Sequence, residues 1–266
     1  MIQASPPTLR LSLVVLVSAV AGVMNAIAGG GTLLTFPALI GLGIAPLTAN
    51  ATSTVGLVPA SISSMWGYRR PLRGARDWVV AFALPSLIGG LIGALLLIGT
   101  PPTTFSRIVP WLVLSATGLF IAQGPLTDRL RRKAALSIAD PPVARPEPSS
   151  TPAMLAFQFL IAIYGGYFGA GVGILMLAGL GFMGLRDIHR MNGLKNWGGL
   201  CMNAVAALAF AVGGLVNWPV ALSMAAGSFA GGYVGSRLAQ RIGQRAVRLV
   251  IAFIGLSSGI WLMLAR

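Results

Sequence analysis

The feature that most limits how this chain can fold is a glycine-broken apolar segment that occurs twice. Asn25–Ser53 reads NAIAGGGTLLTFPALIGLGIAPLTANATS, and Tyr167–Lys195 reads YFGAGVGILMLAGLGFMGLRDIHRMNGLK. The offset of 142 residues that carries Asn50 onto Asn192 also carries Gly29 onto Gly171, Gly31 onto Gly173 and Gly89-Gly90 onto Gly231-Gly232. Glycine inside a helix costs about 1 kcal/mol relative to Ala. In an apolar helix, the backbone groups freed by a break are tolerated only where they are buried in protein or line a cavity. The chain is therefore two copies of one unit, each broken where a binding site is expected in a secondary transporter.

Composition agrees with a membrane setting. Hydrophobic residues make up 56% of the chain and charged residues 9%, against about 25% charged in an ordinary soluble domain. A net charge of +14 would point to nucleic acid in a soluble protein, but here the basic residues cluster in short loops between apolar runs, the pattern that orients membrane helices. No nucleic-acid partner is expected. The single cysteine, Cys201, has no partner in the chain and reads as a small packing residue. Arg10 and Ala26-Ile27-Ala28 mimic the ends of a secretory leader. Cleavage there would remove one arm of an element whose copy, Met154–Ala170, is internal.

Five apolar runs fall in each half, and residues 32 to 44 and 174 to 184 are too short for the ~20 residues a spanning helix needs. Each short run is expected to be the return arm of a hairpin with the preceding helix. The predicted fold is an all-α integral membrane protein of two inverted-topology repeats, each a Gly-broken hairpin plus three transmembrane helices. Residues 1–124 form the first repeat, 125–151 a cytoplasmic linker rich in Pro and Arg that should be extended, and 152–266 the second repeat. The alternative is a conventional bundle without re-entrant arms. Of the 19 basic residues, all but Arg10, Arg107 and Arg266 fall on one face in this scheme. The charged loop at 69 to 76 corresponds to the uncharged 213 to 217, so charge changes sides between copies, as inversion requires. This places the N- and C-termini outside.

Gly29, Gly30, Gly31, Gly171 and Gly173 are candidate substrate-binding positions as helix breaks that expose amides, while Gly89, Gly93, Gly231 and Gly235 read as helix packing. Neither break carries the Gly-Lys-Ser/Thr of a phosphate loop. Asn50, Thr52, Ser53 and Asn192, Lys195, Asn196 are expected at the starts of full-length helices, where one capping residue is ordinary but several polar residues in a row point to an anion at the positive helix end. Lys195 is either a fixed cation for that anion or one more orienting charge that snorkels to the interface. Asp77, Asp128, Asp140, Glu147 and Asp187 are the only acids, all in loops or at helix edges, so no carboxylate is placed to bind a cation or relay protons at mid-membrane. No catalytic, metal or cofactor motif is present.

The motifs AGGGTLLTFPALIGLGIAPLTANATSTVG in the first half, and YFGAGVGILML with MNGLKNWGGLCMNAVAALAF in the second, resemble the TauE/SafE family of sulfite-exporter-like permeases over nearly the whole chain apart from the linker. The resemblance implies movement of sulfite or an organosulfonate across the inner membrane. Gly-Val-Gly in the second copy, and Asn-Gly-Leu-Lys in place of a second Thr-Ser pair, depart from the family pattern. A membrane scaffold or an anion channel is the alternative. The expected partners are a small anion and the lipid bilayer, with a homodimer left open.

Overall fold

A computed structural model describes residues 7–27, 29–70, 72–136, 151–182, 185, 187–238 and 245–264. The described residues form ten helices: α1 Pro7–Ile27, α2 Thr32–Gly41, α3 Pro46–Gly67, α4 Arg76–Ile98, α5 Pro102–Leu136, α6 Pro152–Tyr167, α7 Val172–Phe182, α8 Ile188–Val212, α9 Trp218–Leu238 and α10 Arg245–Leu264. Local chemistry sets several boundaries. Pro46 and Pro152 open their helices at positions where a missing N–H costs nothing. Asp187 caps α8 by accepting from the His189 amide at 2.8 Å.

The short helices fold back as return arms. Gly31 packs against the Ala21 carbonyl of α1, and Leu42 at the far end of α2 shares a small apolar cavity with Leu13 of α1. In the second half, Gly179 of α7 packs on the Phe157 ring of α6, and the 142-residue offset places these two at 37 and 15, within the corresponding arms.

The long helices are apolar outward and small inward. On α4, Val80, Leu84, Ile88, Leu91 and Leu95 are exposed, whereas Ser86, Gly89, Gly90, Gly93 and Ala94 are buried. Without a hydrophobic drive between helices in lipid, close backbone approach supplies the packing. A methyl at Gly89 would meet the Phe159 carbonyl of α6 at 2.6 Å, and one at Gly235 would meet Val23 Cα of α1 at 2.6 Å.

Packing is symmetric between the halves. Helix α9 lies on α1 and α3, α4 lies on α6 and α8, α3 meets α8, and α5 meets α10. Exchanging each helix with its repeat counterpart leaves this scheme unchanged. The symmetry reaches single residues: Ser228 donates to the Gly56 carbonyl at 2.6 Å, and its counterpart Ser86 lies beside Gly198, the counterpart of Gly56.

Three sequence expectations change. Helix α5 continues to Leu136, past the expected boundary at 124, because residues 126–136 contain neither Pro nor Gly and are rich in good helix formers. Residues 137–150 of the expected linker, with Asp140, Arg145 and Glu147, lie outside the described residues, as do Gly184 and Arg186. The polar clusters are not at helix starts: α3 is preceded by Ala45 and α8 by Asp187, which puts Asn50 and Asn192 a full turn inside. Gly173 is not part of a break but lies in the first turn of α7. The positive backbone angles of the second break belong to Gly169, at φ 74, and Gly171, at φ 72.

Candidate functional site

The first break touches the helix that follows the second. Gly29 has φ 70 and Gly30 φ 148, conformations that side-chain-bearing residues rarely adopt. A methyl at Gly29 would lie 2.8 Å from the Cα of Gly173. Each break brings together the C-terminus of one helix and the N-terminus of the next: α1 ends and α2 begins at the first, α6 ends and α7 begins at the second.

Each break is held by a polar side chain from the other half. Lys195 Nζ on α8 donates to the Asn25 carbonyl at 3.1 Å and to the Ala26 carbonyl at 3.4 Å, both in the last turn of α1. Asn50 Nδ2 on α3 donates to the Tyr167 carbonyl at the end of α6, at 3.0 Å. Asn25 and Tyr167 are counterparts under the 142-residue offset, so the two ties end on equivalent carbonyls, but their donors are not counterparts: the ammonium of Lys195 aligns with Ser53 and the amide of Asn50 with Asn192. Lys195 is 3% exposed and turned into the protein, so it does not snorkel. These partners correct the expected polarity, since Lys195 and Asn50 face the negative ends of α1 and α6 and not the positive starts of their own helices.

The remaining candidates divide. Ser53 of α3 pairs with Thr35 of α2, in its own half, at 2.5 Å. Thr52 accepts from the Asn217 amide at 3.0 Å and so braces the loop before α9. Asn192 donates to the Ile188 carbonyl one turn back, at 3.0 Å. Gly31 packs on α1, and a methyl at Gly171 would sit 3.4 Å from the Ala116 carbonyl of α5. Buried Asn50 Oδ1, Asn192 Oδ1 and Asn196 Nδ2 have no hydrogen-bond partner among the described residues. An unmatched buried polar atom costs about 1–3 kcal/mol, and all three lie on the helices that tie the breaks. The structure thus joins Gly29, Gly173, Asn50 and Lys195 through the breaks, and it turns Thr52 and Asn192 elsewhere.

Sequence reasoning missed several participants. Tyr68 donates to the Ala26 carbonyl at 3.4 Å, beside Lys195. Gln158 donates to Ser86 at 2.9 Å inside the α4–α6 contact. Gln158 is the lone amide in an otherwise apolar helix, and that isolation was a readable signal. Asn25 and Tyr167 contribute only main-chain carbonyls, which no residue type announces.

The sequence model of the family described as "Sulfite exporter TauE/SafE" matches residues 14–262. A probable membrane transporter protein of Haemophilus influenzae is 28% identical over 225 residues, covering 82% of this chain and 80% of that one. The probable membrane transporter protein YfcA of Escherichia coli K12 is 30% identical over 231 residues, covering 83% and 77%. The probable membrane transporter protein ORF9 of a Sinorhizobium species is 28% identical over 215 residues, covering 79% and 76%. No solved structure matches the chain.

Proposed function

We propose, for a chain that belongs to the TauE/SafE sulfite exporter family, that it carries a small anion, sulfite or an organosulfonate, across the inner membrane, binding it where the two glycine breaks meet. The observation that carries this reading is Lys195, a buried ammonium whose hydrogen-bond partners are main-chain carbonyls. Burying a charge against partial dipoles alone is costly, and an anionic substrate supplies the missing countercharge. The ammonium also offsets the negative end of α1. The adjacent start of α2 is then left as the dominant field at the break, and it favours an anion. Asn196 Nδ2 is a further buried donor on the same helix, without a partner among the described residues. The proposed set is Gly29, Gly30, Gly31, Gly171, Gly173, Asn50, Ser53, Lys195 and Asn196, with Thr52 and Asn192 as supports.

Alternating access between inverted repeats fits this arrangement. In support, the loop that ends α3 lies against the start of α8: Leu72 packs on Gly193, and Arg190 approaches Gly74. Counterpart helices α3 and α8 then run oppositely. The same reading puts the charged loops and the linker in the cytoplasm and both termini outside.

Purified protein in proteoliposomes should pass sulfite or a simple sulfonate well above protein-free vesicles, with saturation. Background flux for all such anions would sink the transporter reading in favour of a scaffold. Flux that never saturates would favour a channel.

A further inference from the structure

On α3, Ala60, Ser63, Ser64 and Gly67 meet Gly232 and Ser236 of α9, while Gly227, Gly231 and Gly235 of α9 face α1. The contacts climb both helices together, from Gly56 at Ser228 to Gly67 at Ser236, so α3 and α9 run in the same direction. At about 100° per residue, Phe229, Tyr233 and Arg237 fall on the flank of α9 away from α1. The shared direction puts Trp66 on the matching flank of α3. One groove therefore has an aromatic floor from both helices and arginines at its charged end.

The arginines are held in place. The Arg69 guanidinium lies 4.9 Å from the centre of the Trp66 ring and donates to the Trp66 carbonyl at 2.7 Å. The Arg237 guanidinium lies 4.4 Å from the Tyr233 ring centre. Stacking fixes both planar forks without using all their donors. Below them Trp66 is 64% exposed and Phe229 52% exposed, at the end of a helix pair whose outward surface is apolar. We infer that the α3–α9 groove is a binding site for an anionic phospholipid, with its phosphate bridging Arg69 and Arg237 and its acyl chain lying on Trp66 and Phe229. Arginine forks match phosphate oxygens bidentately. Basic residues at the membrane surface favour acidic head groups, and the exposed rings below give the chain a surface that free phosphate cannot use.

The test is native mass spectrometry of the full-length protein extracted from nanodiscs containing phosphatidylcholine and phosphatidylglycerol. The parent should retain phosphatidylglycerol selectively. Arg69→Ala with Arg237→Ala should lower its affinity by about tenfold or more, and the charge-preserving Arg69→Lys with Arg237→Lys, which leaves the helix ends cationic and folded, should fall between. Arg73→Ala, on the same charged face but in the loop beyond α3, should change little. Trp66→Ala should weaken the lipid, and millimolar inorganic phosphate should not displace it. Retention of phosphatidylglycerol at the parent level by the double alanine variant would overturn the site. So would an equal loss with Arg73→Ala, which would mean diffuse surface charge, or displacement by inorganic phosphate, which would mean a simple anion site. Because the readout is lipid retention, failure here leaves the transport reading standing.

Discussion

Lys195 Nζ sits 3.1 Å from the main-chain carbonyl of Asn25, a residue 170 positions earlier in the chain. The equivalent carbonyl of the other half, that of Tyr167, is held by Asn50 at 3.0 Å. Each half thus fastens the end of the other half's first helix, so the two breaks are positioned only when both halves are folded together.

Removing the ammonium should separate structure from transport. Lys195→Met keeps the buried stem but removes two charge-assisted hydrogen bonds, leaving the Asn25 carbonyl to the Gly29 amide and the Ala26 carbonyl to the Tyr68 hydroxyl, with an expected loss of about 1.5–3 kcal/mol in stability and a tenfold or greater drop in anion flux. Lys195→Arg keeps the charge and should recover part of the stability, but less of the flux, because the guanidinium is larger and planar. Thermal unfolding in detergent together with proteoliposome flux reads both quantities. Normal flux in Lys195→Met would remove this residue from the site.

The opposite tie should be purely a matter of hydrogen bonding. Asn50→Ala should cost about 1–3 kcal/mol through the unmatched Tyr167 carbonyl. Asn50→Asp should be worse, since a carboxylate accepts but does not donate and would face the negative end of α6. A melting temperature for Asn50→Asp at or above that of Asn50→Ala would contradict this assignment.

Glycine substitutions should sort by place. Gly29→Ala forces a side chain into a left-handed conformation, about 1–2 kcal/mol, and presses its methyl on Gly173, about 1–3 kcal/mol more. Gly199 on α8 has open space where a methyl would go, so Gly199→Ala should be neutral or gain up to about 1 kcal/mol. Expression and melting of the two variants compare them directly.

Orientation can be read with impermeant thiol reagents, since Cys201 is buried and contributes little background. Ala45→Cys, at the turn between α2 and α3, should react on intact cells. Gly74→Cys, in the charged loop, should react only after permeabilisation. Labelling of both from the same side would mean that α3 does not cross the membrane, and labelling of Gly74→Cys on intact cells would reverse the proposed orientation.

What the sequence determined by itself was whatever follows from local chemistry and from comparing the chain with itself. The glycines at 29–31 and at 169 and 171 interrupt their apolar segments, apolar runs of limited length return as arms, and a repeat offset identifies counterpart residues before any contact is known. Lys195 and Asn50 were therefore visible as unusual polar residues beside the breaks. Their partners were not visible, because Asn25, Ala26 and Tyr167 take part through carbonyls that every residue carries, and only the packing of α8 on α1 and of α3 against the end of α6 brings them within reach. The polarity of the site was misread for the same reason. Sequence shows where a helix starts, but which helix end a side chain reaches from one turn inside depends on the neighbouring half. The α3–α9 groove likewise required the tertiary structure, since Trp66 and Tyr233 are separated along the chain and share a flank only because the glycine stripe of α9 seats it against α1 and α3 at a fixed rotation.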